Sequence, residues 1–224
     1  MPRVLKGFVF MAERVVLLLD GGFVKKKLQP QLNHFPTVAD VVGVCSQIMA
    51  NPALAGRELF RIYYYDAPPY TGKVKNPISG AVVNYATTVQ ASQNKSLIDG
   101  LELEPDFAVR RGILRHSGYK LNPISLQRIA TASRANPPNV ALQQLVAGDV
   151  NPNISQKGVD MRIGLDIAWI ALKKVAETMV LVTGDSDFVP AMKFARKEGM
   201  RVYLAPLGHT SIFRELKAHA DRVL

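Results

Sequence analysis

Two hydrophobic patterns alternate along the chain and together predict its fold class. A continuous apolar run at 14–20 suits a strand buried on both faces. An aromatic and β-branched stretch that ends in a Pro-Pro turn predicts a second strand at 58–69, and further strands are predicted at 178–184 and 201–208. Apolar residues at helical spacing fill most of the chain between these runs, at 38–49, 78–99, 159–177, 187–200 and 211–221. Strands that alternate with helices predict an α/β fold in which a mostly parallel sheet is covered by helices on both faces.

Residues 106–155 do not follow this alternation. The stretch 106–119 has the mixed pattern of an edge strand or a loop, and 117–155 is rich in Asn, Pro, Ser and Gln, with turn signals at 136–138 and 151–153. A short helix is compatible with 137–148, and the sequence contains no internal repeat. We therefore predict a single domain over residues 1–224, with an insertion at 117–155 on one core.

The composition narrows the class of protein. A hydrophobic fraction of 48% is enough to fill a core, and the single cysteine, Cys45, excludes an intramolecular disulfide and a four-thiolate zinc site. No apolar run is long enough to cross a bilayer, and no signal-peptide cleavage site follows the apolar start, so we expect no membrane partner and a reducing, cytoplasmic location. Met11 is a candidate natural start, with residues 1–10 as an extension.

Lysine and arginine outnumber acidic residues by 28 to 18, a net charge of +10. A surplus of this size predicts a polyanionic partner, and nucleic acid before a membrane, because no long basic amphipathic helix stands out. Within 110–134 the basic residues occur without an acidic one, and they are Arg110, Arg111, Arg115, Lys120, Arg128 and Arg134. The alternative is a basic surface that only keeps the protein soluble.

Aspartates follow two of the predicted strands. Asp20 ends the first strand, and Asp185 follows the 178–184 strand in a Gly-Asp-Ser-Asp sequence that also contains Asp187. Ligands of parallel α/β sheets bind beyond the carboxyl ends of the strands, so we expect Asp20 and Asp185 to converge. Simpler alternatives are a turn at Asp20 and, for Asp187, an N-cap of the following helix.

The predicted helix at 159–177 carries two further aspartates. Asp160 lies in its first turn, where a carboxylate also suits the helix dipole, and Asp166 lies among apolar residues, where unpaired carboxylates are rare. Six residues place the two side chains about 120° apart around the helix. We therefore expect Asp160 to reach the site of Asp20 and Asp185, and Asp166 to orient a ligand or a basic side chain from outside it.

Several carboxylates at one sheet edge repel one another, and a hard divalent cation with oxygen ligands, Mg²⁺ or Mn²⁺, relieves that repulsion. Such an ion activates water and holds a phosphodiester, while basic flanks hold the nucleic-acid backbone. This combination suits a nuclease. We predict Asp20, Asp160 and Asp185 as metal ligands, with Asp187 at the edge of the site.

Three segments resemble a known family: VVLLLDGG (15–22), KGVDMRIGLDIAWIA (157–171) and VTGDSDFVPAMKFARKEGMRVYL (182–204). They are similar to the NYN domain of the LabA/DUF88 type, a branch of the PIN-like nuclease superfamily, loosely over 14–116 and closely over 157–224. The resemblance implies a Rossmann-like three-layer sandwich, a divalent metal and cleavage of RNA. The family's aspartates correspond to Asp20, Asp160, Asp166, Asp185 and Asp187.

Expected RNA contacts come from the basic residues Arg110, Arg111, Arg115 and Lys120 and from Lys157 of the Lys-Gly-Val-Asp motif. The chain departs from the family pattern at Phe23, where many members carry Asn three residues after the first aspartate. A homodimer is left open.

Two other functions compete with the nuclease. One is an RNA-binding regulatory module that keeps the fold and the metal site and cleaves poorly. The other is a HAD-type phosphatase, which needs a second aspartate two residues after the first, where this chain has Gly22. Serine hydrolase chemistry has little support, because the histidines stand in no triad context.

Overall fold

The structure of the protein is a computed structural model that describes residues 12–224. The expected extension at 1–10 and the alternative start at Met11 lie outside the described residues. The chain divides into two compact units. The first comprises the chain up to Asp66 with Asp99–Arg110 and Asp160–Leu224, and the second comprises Ala67–Ile98 and Arg111–Val159. Within residues 12–224, no helix is both long and apolar enough to cross a membrane.

The strands of the described chain are, in order, β1 (Arg14–Asp20), β2 (Glu58–Asp66), β3 (Lys73–Lys75), β4 (Val82–Asn84), β5 (Phe107–Arg111), β6 (Ile113–Leu121), β7 (Val150–Lys157), β8 (Thr178–Val182), β9 (Arg201–Leu204) and β10 (Arg222–Val223). The α-helices are α1 (Gly21–Leu32), α2 (Val38–Met49), α3 (Val89–Leu101), α4 (Pro123–Arg134), α5 (Val140–Gln143), α6 (Val159–Lys173), α7 (Val189–Lys197) and α8 (Arg214–His219).

The first unit is built around a sheet of strand order β10-β9-β8-β1-β2-β5. Strand β1 pairs in parallel with β2 and β8, and β9 pairs in parallel with β8 and β10. The apolar run of β1 is 0% exposed from Val15 to Leu19, as expected for a central strand. The predicted α/β fold, with a mostly parallel sheet flanked by helices, is therefore confirmed.

The turn from β1 into α1 explains the Asp-Gly-Gly sequence. Asp20 is the N-cap of α1, because its carboxylate accepts a hydrogen bond from the Phe23 N–H at 3.2 Å. A Cβ atom at Gly21 would lie 2.7 Å from the carbonyl oxygen of Tyr65 and 2.8 Å from the ring of Tyr64. Glycine thus lets the helix leave the strand in close contact with β2. The sequence did not predict α1, because its lysine run and an internal Pro30 hide the helical periodicity.

Helix α6 is apolar on two faces, of which only one is buried. Ile163, Ile167 and Ile170 are 0% exposed, whereas exposed apolar residues occupy the other face: Met161, Leu165, Trp169 and Leu172. The all-apolar spacing over 159–177 indicates a mostly buried helix, and this is wrong for the outer face; the helix itself is present and ends at Lys173. A helix with apolar residues on two faces is usually buried on both, but the second apolar face of α6 is exposed.

The second unit consists of short antiparallel pairs and helices. Strand β3 pairs with β4, and β6 pairs with β7. Arg128 of α4 binds the buried carboxylate of Asp149 at 2.5 Å and donates to the carbonyl oxygen of Leu142 at 2.7 Å. These bonds hold α4, α5 and the turn before β7 together. The stretch 117–155 thus contains α4 and most of β7, where the sequence predicted only a short helix.

Several element boundaries differ from the predicted ones. The helix expected over 78–99 begins only at Val89, where the Thr88 hydroxyl accepts the Ala91 N–H at 3.2 Å, and β4 precedes it. The strand expected at 201–208 ends at Leu204, and the helix expected at 211–221 covers Arg214–His219. Short polar interruptions and local caps set these ends, which periodicity alone does not show.

Candidate functional site

Asp20 lies half-buried at the carboxyl end of β1. One carboxylate oxygen caps α1, and the other accepts a hydrogen bond from the Thr183 hydroxyl at 3.3 Å. Burial raises the pKa of the Asp20 carboxyl, the hydrogen bonds from Phe23 and Thr183 oppose that effect, and the nearby Asp160 carboxylate raises the pKa further. Asp20 is therefore held in place as a carboxylate that is poorly stabilised in its charged form.

Thr183 connects the two strand ends that carry the aspartates. Its side chain is 0% exposed, directly after β8. The hydroxyl donates to Asp20 and accepts the N–H of Asp185 at 3.1 Å. One hydroxyl therefore fixes the Asp185 backbone relative to the Asp20 carboxylate, as the neighbouring parallel strands β1 and β8 allow.

Asp185 and Asp187 lie on the short turn between β8 and α7, and both are exposed. The Asp185 carboxylate accepts the N–H of Asp187 at 2.9 Å and so caps the 186–188 turn. Helix α7 has no side-chain cap bond, so the alternative in which Asp187 caps that helix is wrong. The Asp187 side chain is left without a capping task.

Asp160 is exposed in the first turn of α6. Partial burial raises the pKa of its carboxyl, and the charges of Asp185 and Asp187 raise it further. Asp160 in turn raises the pKa of Asp20. Four carboxylates from β1, α6 and the turn after β8 thus act on one another, and among the described residues no lysine or arginine forms an ion pair with any of them. We call these four residues the aspartate cluster.

The donor set of the aspartate cluster suits a hard divalent cation, although the carboxylates do not form a closed cage. All four side chains offer oxygen, and their unrelieved repulsion is what such an ion removes. Within residues 12–224, no group of three or more His, Cys, Asp or Glu side chains is close enough to enclose a metal. Mg²⁺ commonly uses one or two carboxylates and takes its remaining ligands from water and substrate phosphates, so an open cluster is compatible with it.

Asp166 has different neighbours from Asp160. Its carboxylate accepts hydrogen bonds from the Tyr65 hydroxyl at 2.9 Å and from Nε of Arg110 at 3.0 Å. Arg110 also lies over the ring of Tyr63, 5.2 Å from its centroid. Burial and the Asp166 charge raise the pKa of Tyr65 far above its ordinary value, so the phenol stays protonated and donates. The structure thus gives Asp166 a phenol and a guanidinium as partners on β2 and β5.

Sequence reasoning missed Asp66, another strand-end aspartate. It ends β2, is 2% exposed and forms an ion pair with Lys25 of α1 at 2.5 Å. The Tyr64 hydroxyl lies 3.4 Å from the same carboxylate oxygen. The signal was the position of Asp66 after the apolar run of β2, which matches the position of Asp20 after β1. Unlike the aspartate cluster, Asp66 has a cationic partner.

A cationic and aromatic group packs beside Gly184. A Cβ atom at Gly184 would lie 2.7 Å from the Phe23 ring, and that ring makes an edge contact with His209 at a centroid distance of 6.2 Å. Nζ of Lys27 lies 2.8 Å from Nδ1 of His209 and 5.7 Å from the Phe23 ring centroid. The sequence singled out Phe23 only as a departure from a family pattern. Here its ring occupies the space next to the residue before Asp185.

The predicted RNA-contacting residues are distributed over both units. Arg110 belongs to the first unit and is bound to Asp166. Arg111, Arg115, Lys120 and Lys157 belong to the second unit, and all four are exposed. Arg115 pairs with Ser155 across the β6–β7 ladder, and Ile113 pairs with Lys157, so Arg115 and Lys157 share one face of this ladder.

Comparison with known proteins gives one family match. The profile of the NYN domain matches residues 106–224, which is more than half of the chain and includes every aspartate of the cluster except Asp20. A crystal structure of a protein of unknown function from Vibrio parahaemolyticus is similar at a TM-score of 0.48 and 16% sequence identity, covering 95% of this chain and 92% of that one. No curated protein matches the sequence.

Proposed function

Because this chain belongs to the NYN domain family of the PIN-like nuclease superfamily, we propose that it is a metal-dependent ribonuclease that hydrolyses RNA phosphodiester bonds at the aspartate cluster. The observation that carries the proposal is a group of neighbouring carboxylates with no cationic partner among the described residues, in which burial and the neighbouring charges raise the pKa of Asp20 and of Asp160. In a folded protein such a group is costly unless an ion or a ligand compensates it. The family supplies the reaction class, and the cluster supplies a place for it.

In this proposal Asp20, Asp160 and Asp185 hold one Mg²⁺ or Mn²⁺, and Asp187 lies at the edge of the site. The ion, when bound, lowers the pKa of a water molecule and stabilises charge on the scissile phosphate. Thr183 keeps the Asp20 carboxylate and the Asp185 backbone in register through its hydroxyl. Asp187 accepts a proton from the attacking water or orients that water, since its side chain caps no helix.

Lys27 and His209 are candidates to bind a phosphate oxygen beside the aspartate cluster. Both lie against Phe23, which touches Gly184, the residue before Asp185. A lysine ammonium with an imidazole neighbour supplies positive charge next to a carboxylate-rich site, and this favours a bound polyanion.

The chain has one free, buried cysteine, in keeping with a reducing cytoplasm as the place of this activity.

The decisive experiment compares the parent protein with Asp185→Asn, which keeps the side-chain shape but removes a negative ligand. Parent protein is expected to cleave labelled RNA with Mg²⁺ or Mn²⁺ and not with EDTA, and to melt at a higher temperature with either ion. Asp185→Asn is expected to lose both the cleavage and the thermal shift while its metal-free fold is retained. Glu198→Gln, an exposed acidic residue at the end of α7, is the matched control. Cleavage by Asp185→Asn at the parental rate would refute the proposal.

One observation favours a second candidate, an RNA-binding regulatory module that cleaves weakly or not at all. The described residues contain no closed metal-binding group, so the cluster depends on further ligands to complete a site. In that case RNA binding persists while neither ion supports cleavage at more than a residual rate. Metal-dependent cleavage by the parent protein, with Asp185→Asn as control, therefore separates the two candidates.

A further inference from the structure

Most of the net positive charge of this protein is in its second unit. Residues 67–98 and 111–159 carry nine lysines and arginines against one acidic residue, whereas the rest of the chain carries 19 against 17. The net charge of +10 is therefore divided as +8 in the second unit and +2 in the first. The second unit is strongly cationic although it is the smaller of the two.

The single acidic residue of the second unit does not offset this charge at the surface. Asp149 is 5% exposed and is bound by Arg128 at 2.5 Å and by the Val146 N–H at 2.8 Å. Among the described residues of this unit, six exposed cations form no ion pair: Lys73, Lys75, Arg115, Lys120, Arg134 and Lys157. They are available to an anionic ligand.

Four aromatic rings form a continuous row in the same unit. Tyr85 contacts Tyr70 at a centroid distance of 5.7 Å, Tyr70 contacts His116 at 6.2 Å, and His116 contacts Tyr119 at 5.4 Å. The planes of the first and last pairs are inclined at 70° and 79°. Edge-to-face contacts of this kind leave ring faces that no neighbour in the row covers, and Tyr119 is 37% exposed.

The row of rings is held against a strand that carries two of the free lysines. The Tyr119 hydroxyl donates to the carbonyl oxygen of Lys75 in β3, and the Tyr85 N–H donates to the Gly72 carbonyl oxygen at 3.2 Å. Lys73 and Lys75 are exposed on one side of β3, and Val74 between them is buried. Tyr70 and Tyr85 thus flank the short hairpin of β3 and β4 that carries Lys73 and Lys75, and Tyr119 of β6 is hydrogen-bonded to it.

We propose that the second unit binds single-stranded RNA, whose bases stack on the row of Tyr70, Tyr85, His116 and Tyr119 while Lys73, Lys75 and Lys120 contact its phosphates. Proteins that hold single strands combine these two features, a basic track and aromatic platforms, because every base presents a π-face. A-form duplex RNA keeps its bases stacked inside the helix and offers none to such a row. This inference rests on the proposed function for the choice of RNA, and it names the form of RNA and the residues that hold it.

The test measures binding separately from cleavage. The probe is fluorescein-labelled oligouridylate of 12 nucleotides, titrated in EDTA with protein that carries Asp185→Asn, and the competitor is a 12-base-pair RNA duplex. The protein is expected to prefer the single strand. The double variant Tyr70→Ala and Tyr85→Ala is expected to bind about 10-fold or more weakly, because a stacked base contributes about 1–3 kcal/mol in alanine substitutions. The double variant Tyr70→Phe and Tyr85→Phe keeps the rings and is expected to bind with the parental affinity.

The lysines and the rings are expected to differ in their salt dependence. Replacing Lys73, Lys75 and Lys120 with Ala is expected to reduce the slope of log K against log salt by about 0.7 for each phosphate interaction removed, whereas the tyrosine variants keep the parental slope. Trp169→Ala, an exposed aromatic residue of the first unit, is the matched control and is expected to bind like the parent. If the Tyr70 and Tyr85 variant does not fold, His116→Leu and Tyr119→Leu test the other half of the row.

Parental affinity in the alanine and leucine variants of the rings, or equal binding of the duplex, overturns the inference. Binding without any metal-dependent cleavage would sustain it and remove the proposed nuclease function. If the ring variants bind RNA with the parental affinity while the parent protein shows metal-dependent cleavage, the inference about the rings is wrong and the proposed nuclease function stands.

Discussion

Asp160 and Asp166 lie on the same helix, and we predict that their substitution has opposite effects. Asp166→Ala is expected to destabilise the metal-free protein and to leave metal binding intact. Asp160→Asn is expected to leave the metal-free stability unchanged or slightly higher and to abolish the stabilisation by metal. The difference follows from their partners, since Asp166 accepts two hydrogen bonds and Asp160 meets only other carboxylates.

The size of the Asp166 effect follows from the burial of its partner. Tyr65 is 0% exposed, so its hydroxyl loses its acceptor and cannot be hydrated, at a cost of about 1–3 kcal/mol. The Arg110 side chain is 44% exposed, and its ion pair adds less than about 1 kcal/mol. The two contributions together are about 1–4 kcal/mol, so at roughly 2–4 °C per kcal/mol for a protein of this size the melting temperature is expected to fall by about 2–16 °C.

For Asp160→Asn the expected change in stability is small in the absence of metal and larger in its presence. The residue is exposed, so relief of like-charge repulsion contributes less than about 1 kcal/mol. An ion at 100 times its dissociation constant stabilises the folded state by about 2.7 kcal/mol, which corresponds to a rise of about 5–11 °C. Asp166→Ala is expected to keep that rise, and Asp160→Asn to lose it.

Thermal unfolding by circular dichroism, with and without Mn²⁺, measures both effects, and calorimetric titration gives the metal affinity directly. Tyr65→Phe is the control. In the Tyr65→Phe background the Asp166→Ala change is expected to reduce the free energy of unfolding by less than it does in the parent, and the difference, the coupling energy, is expected to be about 0.5–3 kcal/mol. Weaker Mn²⁺ binding in Asp166→Ala than in Asp160→Asn would reverse the ligand assignment. An Asp166→Ala protein as stable as the parent would refute the role given to the Tyr65 bond.

Two further predictions concern the same site. Thr183→Val removes the hydroxyl that joins Asp20 to the Asp185 backbone. It is expected to weaken metal binding by about 10–100-fold, as the loss of a hydrogen bond that supports a metal ligand typically does. The matched control is Thr178→Val, whose equally buried hydroxyl has no partner among the described residues, and the same metal affinity of both variants in calorimetry would contradict the prediction. The pKa values of Asp20 and Asp160 are raised above 3.8, so the folded protein holds protons that the unfolded chain releases. The stability of the metal-free protein is therefore expected to fall as pH rises from about 4 through those raised pKa values, while the affinity for Mn²⁺ rises over the same pH range. A melting temperature that does not change over this pH range would contradict the interaction among the carboxylates of the aspartate cluster.

The position of the aspartates at the ends of strands was predictable from the sequence, because residues that follow parallel strands lie at the same edge of the sheet in any strand order. Apolar runs of five or more residues mark central parallel strands, and whatever follows them lies at one edge of the sheet. Asp20 and Asp185 follow this rule, and so does Asp66, which was overlooked because its strand was judged by its aromatic content. The pairing of Asp66 with Lys25 was not predictable, since it depends on how α1 leaves β1.

The partners of Asp166 lay beyond sequence reasoning for a different reason. Tyr65 and Arg110 come from two strands at distances of 101 and 56 residues along the chain. Helical spacing showed that Asp166 points away from Asp160, but no local pattern identifies a distant donor. In the same way, the basic stretch 110–134 was visible, whereas the contribution of Lys73 and Lys75 to the cationic unit required the division of the chain into its two units.

The division of charge between the units bears on how a ribonuclease with this site would acquire its substrate. The aspartate cluster is negative before an ion binds, and the first unit has a net charge of only +2, so RNA gains little electrostatic attraction from it. If the proposed RNA binding holds, a second unit of +8 on the same chain would supply that attraction and raise the local concentration of RNA, as linked binding sites do. Basic residues placed inside the cluster would compete with the ion for the carboxylates. A net positive charge concentrated in the second unit would therefore let the proposed ribonuclease attract a polyanion while its aspartates stay free for a metal.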